Sequence, residues 1–128
     1  MKTAKIACTL LLAALASSAA AGEIAPYDQA RFDALARADK PVLLDVQASW
    51  CPTCKAQKPI LESLMTQAAY RDVTTLTIDF DADQALLRRY RVGMQSTLIA
   101  FHGAREVGRS VGDTKQASIE SLVRLSLH

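Results

Sequence analysis

The sequence predicts an α/β domain of three layers, with a central mixed sheet of about four to five strands and helices on both faces. Three observations carry this. Short apolar or β-branched runs alternate with segments whose apolar residues recur every three or four positions. The first two such runs are joined through a helical segment, which implies parallel strands, and the last two flank a short polar turn, which implies an antiparallel hairpin. Residues 22–128 suffice for a single core and leave no room for a second domain.

Residues 1–21 stand outside this frame. Lys2 and Lys5 precede an apolar run from Ile6 to Ala16 and then small residues from Ser17 to Gly22, the layout of a secretory signal peptide. A membrane span needs about 20 apolar residues, more than this run supplies. Ala19 and Ala21 are the small pair for cleavage after Ala21, and Cys8 is expected to leave with the signal. The expected product is exported, periplasmic or beyond, where thiols can be oxidised. Setting Lys2 and Lys5 aside from the 15 basic residues leaves 13 against 13 acidic ones, so nothing points to nucleic acid as a partner.

The elements follow in the order α, β, α, β, α, β, β, α. Asp28 is placed to cap a helix carrying Phe32, Leu35 and Ala36, ending near Asp39. Pro41 opens Val42-Leu43-Leu44-Asp45-Val46, a run of the type covered on both faces and interrupted by one acid. Beyond Cys51, Ile60, Leu61, Leu64, Met65 and Ala68 predict a helix to about Tyr70, kinked at Pro59. Val73 to Ile78 reads as a strand and Asp83 to Tyr90 as a short helix. Thr97 to Phe101 and Glu106 to Val111 form the hairpin around His102-Gly103-Ala104-Arg105. Asp113, three residues before Gln116, predicts a capping box for a last helix bearing Ile119, Leu122, Val123 and Leu125.

Cys51 and Cys54 fall where the first core strand gives way to a helix, in Trp50-Cys51-Pro52-Thr53-Cys54. Cysteines three apart in a first helical turn share a side, so their sulfurs can close and open a small ring. Free N–H groups and the helix dipole at that end favour a thiolate. Cys51 is the expected nucleophile, as the more exposed sulfur, with Cys54 shielded one turn deeper to release the mixed disulfide. The same spacing also serves zinc sites and structural bridges. Zinc wants four ligands, and only His102 and His128 could join the two cysteines. A bridge across so short a loop removes little unfolded-state entropy.

On these residues the chain resembles the thioredoxin family over essentially all of residues 22–128. The resemblance implies that Asp45, six residues before Cys51, is the buried acid that moves the proton of the second cysteine. Trp50, Lys55 and Pro59 match the family, and Gly112 matches the glycine beside its substrate groove, although a plain turn glycine would read the same. Trp50, Pro52, Thr53, Gln95, Ser96, Thr97 and Gly112 are then the expected docking residues.

Two departures stand out. Where the family carries a cis-proline before a threonine, this chain has Ser96 before Thr97. A cis bond before a residue other than proline costs about 2.5–4 kcal/mol, so the Gln95–Ser96 peptide is expected to be trans. Gln47 and Thr77 stand where relatives carry a tryptophan and a lysine, and without that cation Asp45 should protonate more easily.

The function implied is thiol-disulfide exchange with exported proteins, as a monomer, without cofactor or metal. Pro52 and Thr53 help set a potential that spans about 7 kcal/mol across the family, too much to read from two side chains. The small size and Asp45 resemble reducing members outside the cytoplasm, supplied by a membrane thiol carrier. The alternative is a Cu(I)-binding module using both thiolates and Met94.

Overall fold

A computed structural model describes residues 21–128. The proposed signal, apart from Ala21, lies outside the described residues. The strands are β1 (Glu23–Pro26), β2 (Pro41–Gln47), β3 (Thr74–Asp79), β4 (Thr97–His102) and β5 (Arg105–Val111). The helices are α1 (Gln29–Arg37), α2 (Pro52–Met65), α3 (Gln84–Arg89) and α4 (Gln116–Leu125), with a 3-10 turn at Ala68–Tyr70. The expected three-layer α/β architecture is borne out, in a single five-stranded sheet ordered β1-β3-β2-β4-β5. β1 and β2 run parallel to β3, while β4 is antiparallel to both β2 and β5.

Alternation along the central strands divides the core. Val42, Leu44 and Val46 of β2 join Ile99 and Phe101 of β4 against Phe32 of α1 and Leu87 of α3. Leu43, Leu98 and Ala100 face the other way, onto Leu61 and Leu64 of α2 and Ile119 and Val123 of α4. Asp45 is two residues from Leu43 and therefore shares the face that α2 covers. This parity sets the acid beneath the helix that carries the cysteines.

Three local expectations are corrected. A first strand, β1, was not foreseen; only Ile24 marks it as apolar, and its pairing with β3 makes it a strand. Gly22, just before it, packs so closely that an added Cβ would lie 2.7 Å from Met65 Sδ and from the Tyr70 carbonyl oxygen. The second helix stops at Met65 rather than Tyr70. There the Thr66 hydroxyl donates to the Ser63 carbonyl at 2.7 Å and Gln67 turns extended. The capping box at Asp113 does not form, because α4 begins only at Gln116 after Lys115; Asp113 instead accepts from the Lys115 amide at 2.9 Å and from the Ser118 hydroxyl. The hairpin turn His102-Gly103-Ala104-Arg105 forms as expected, with His102 paired to Arg105 and Gly103 at φ +59°.

Asp28 does cap α1, accepting from the Arg31 amide at 2.7 Å. Asp28→Ala leaves that donor without its partner. It should lower the unfolding free energy by about 1 kcal/mol in urea titration, without affecting thiol chemistry.

Candidate functional site

β2 ends at Gln47, and four residues later the chain enters α2 with Cys51 as the N-cap and Pro52 in the first turn. Proline suits that place because its fixed φ is already helical and its missing N–H would have had no helical partner. Cys51 and Cys54 form a disulfide with their Cα atoms 5.3 Å apart. The Cys54 amide donates to Cys51 Sγ at 3.1 Å. A sulfur at the N-cap is the helix's natural acceptor, and a negative charge there is stabilised by both the N–H and the dipole.

Cys51 is not the more exposed sulfur. In the disulfide form Cys51 is fully buried and Cys54 is 7 % exposed, both packed with Ala48 and Phe80. What distinguishes the sulfurs is the N-cap position, which only Cys51 holds.

Asp45 is 6 % exposed, and burial pushes its carboxyl up to about 6, with no charged neighbour or hydrogen bond offsetting that cost. Its register neighbour on β3 is Thr77, whose hydroxyl donates to the Ala25 carbonyl at 3.4 Å. An open cavity of about 250 Å³ is lined by Asp45, Gln47 and Thr77 from the sheet and by Lys58, Leu61 and Glu62 from α2. The Lys58 ammonium lies 3.9 Å from Glu62 Oε1, with both side chains mostly in solvent.

The register Val46–Thr97 and Thr97–Val111 brings the starts of β4 and the end of β5 to the same edge as the end of β2. Among the expected docking residues, Trp50 is exposed and its indole N–H donates to Asp81 Oδ2 at 2.7 Å. Pro52 is exposed, Thr53 and Gln95 are half-buried, and Ser96 and Thr97 are buried. Gly112 is exposed with φ +72°, a conformation that favours glycine. Trp50, Met94 and Val111 are large apolar side chains left in solvent on these segments.

No peptide bond among the described residues is cis, so Gln95–Ser96 is trans, as its cost predicts. Ser96 instead adopts φ +59°. That conformation costs a residue with a Cβ about 1–2 kcal/mol, and hydrogen bonds on both sides hold it. The Ser96 amide donates to the Val46 carbonyl at 2.8 Å, and the Ser96 carbonyl accepts from the Gly112 amide at 3.0 Å.

Two participants were missed in the sequence. Asp81 gave no signal, being one of several acids after β3. Gln57 did give one: it stands three residues after Cys54 and four before Leu61, a polar residue on an apolar stripe. It is 1 % exposed, and its side-chain amide donates to the carbonyls of Ser96 at 3.2 Å and Asp113 at 2.8 Å. Gln57 Oε1 has no partner. A buried acceptor left unbonded costs about 1–3 kcal/mol.

Among the described residues no three of His, Cys, Asp and Glu gather into a cluster that could hold a metal.

Residues 23–124 match the family profile described as Thioredoxin. The thioredoxin of Mycobacterium tuberculosis is 37% identical over 81 residues, spanning 63% of this chain and 69% of that protein. The thioredoxin of Chlamydia muridarum is 39% identical over 82 residues, 64% of this chain and 78% of that one. Among solved structures, one described as Trxlp from Edwardsiella tarda superposes with a TM-score of 0.75 at 39% identity, covering 80% of this chain and 97% of the other. A thioredoxin variant from Halobacterium salinarum gives 0.70 at 27% identity, covering 88% and 96%. Fold, cysteine pair and these likenesses agree: the chain belongs to the thioredoxin family.

Proposed function

We propose that the protein is a thiol-disulfide oxidoreductase that reduces disulfides in exported proteins. The observation that carries the reading is the Cys51–Cys54 disulfide at the mouth of α2, with Cys51 Sγ accepting the Cys54 amide. In the reduced form the Cys51 thiolate attacks one sulfur of a substrate disulfide. A Cys51–substrate disulfide forms and the other substrate sulfur leaves as a thiolate. Cys54 then gives its proton to the Asp45 carboxylate and attacks Cys51 Sγ, which restores the Cys51–Cys54 disulfide and frees the second substrate thiolate. Two electrons pass from the protein dithiol to the substrate. Asp45 suits the proton step because its carboxyl, at about 6, is ionised at neutral pH yet readily takes a proton back.

Export is supported by the charge, apolar run and small residues of positions 1–21. The electron donor is then a membrane thiol carrier, since an exported protein has no access to cytosolic reductants. Exposed Trp50, Met94 and Val111 offer an apolar surface for an unfolded or extended substrate segment.

Cys54→Ala, expressed in the producing cell, stops the reaction at the mixed disulfide. Exported proteins that carry a disulfide should be recovered covalently bound to Cys51, on a chain beginning at Gly22. Recovery of no linked protein, or retention of residues 1–21, contradicts the proposal.

A further inference from the structure

We propose that Gln57 is a positioning residue that fixes the protein-docking segments against the cysteine helix. The inference rests on the exchange reaction proposed above and concerns how protein substrates, rather than small disulfides, are aligned on it.

Gln57 is on the same side of α2 as Cys54, one turn further in, and is buried against the sheet. Its two N–H groups reach two different segments, the Ser96 carbonyl before β4 and the Asp113 carbonyl after β5. The Ser96 carbonyl also takes the Gly112 amide, so a single oxygen ties together α2, the start of β4 and the end of β5. Ser96 sits in the left-handed region with a trans bond before it, a conformation the neighbours must impose because the residue alone does not favour it.

The orientation of the amide is set by its partners, because turning it over would place Oε1 against two carbonyl oxygens. In the arrangement that remains, Oε1 is buried and unbonded. A methionine or leucine would fill the same space without that penalty, so packing alone does not account for an amide here. The two donated bonds do, by holding Gln95–Ser96 and Gly112–Asp113 in one register relative to the sulfurs. A protein substrate must lie along these segments to present its disulfide, whereas a small disulfide needs only the sulfur.

The test compares wild type with Gln57→Met, measuring kcat/KM for insulin disulfides and for a small aromatic disulfide, with amide hydrogen exchange at Ser96 and Gly112. The insulin value should fall about 5- to 30-fold, mostly through KM, while the small disulfide changes less than about twofold. Exchange at Gly112 should quicken by about tenfold with the global unfolding transition kept. Gln57→Leu should repeat the pattern, and it serves as the comparison if Q57M does not unfold cooperatively. Equal losses on both substrates, no loss on either, or unchanged exchange at Ser96 and Gly112 would overturn the proposal. A wild-type protein inert towards insulin counts against the proposed function instead, and the exchange rates then decide the clamp alone.

Discussion

Cys51→Ser should lower the rate of disulfide exchange by at least about a thousandfold, because an alcohol at the N-cap is neither ionised at neutral pH nor able to form a disulfide. The fold should survive, since serine is itself a preferred N-cap and its Oγ can take the Cys54 amide that Cys51 Sγ now accepts. The change therefore separates chemistry from structure. Measured with insulin and a small dithiol donor, C51S should be inactive while its far-ultraviolet circular dichroism and cooperative unfolding are retained. Residual exchange within about tenfold of wild type would move the nucleophile to Cys54 and remove the role assigned to the helix end.

Asp45→Asn should make the protein more stable and a poorer catalyst. The carboxyl is at about 6 when folded, against an ordinary value of 3.8. Between those two pH values the folded chain holds a proton that the unfolded chain has released. Wild-type stability therefore falls as pH rises through this window and stays lower above it. The difference corresponds to about 3 kcal/mol at pH 7.5, since each pKa unit is worth about 1.4 kcal/mol. Asparagine has the same shape and no charge, so D45N should be more stable by up to that amount at pH 7.5, with the difference mostly gone by about pH 4 and absent below about pH 3. Of the charged groups lining the cavity, Lys58 and Glu62 pair with one another at its solvent side, which leaves burial as the dominant cause. Release of the mixed disulfide by Cys54 should slow by about 100-fold, the range for losing a positioned proton acceptor. Urea unfolding at pH 4 and pH 7.5, with single-turnover reduction at each pH, checks both parts. A variant less stable than wild type at pH 7.5 would mean that the ionised carboxylate is a stabilising group.

The strands and helices that bury a continuous apolar face were legible because their spacing repeats a physical period. Val42 to Val46, Ile60 to Met65 and the pair Thr97–Phe101 with Glu106–Val111 all lie in elements of the expected kind. β1 was not legible: four residues with one exposed isoleucine and a terminal proline acquire strand form only by pairing with β3. The end of α2 and the Asp113 cap were misjudged because side-chain hydrogen bonds at Thr66 and Ser118, rather than spacing, decide them. At the site, the cysteine pair and the acid six residues before it were readable from the chain, and strand parity explains why the acid faces α2. The burial of Cys51 was not readable, because Ala48 and Phe80 reach it from the end of β2 and the segment after β3. Gln57 could have been found by asking why an amide occupies a stripe otherwise filled by Ile60, Leu61 and Leu64.

Whether the end of α2 makes Cys51 the ionised, attacking sulfur is read from alkylation of the reduced protein across pH. Mass spectrometry should place the first adduct on Cys51, at a rate that reaches half its plateau at lower pH than a free cysteine, which ionises near about 8.5. A first adduct on Cys54, or a profile for Cys51 no different from that of a free cysteine, would contradict the account.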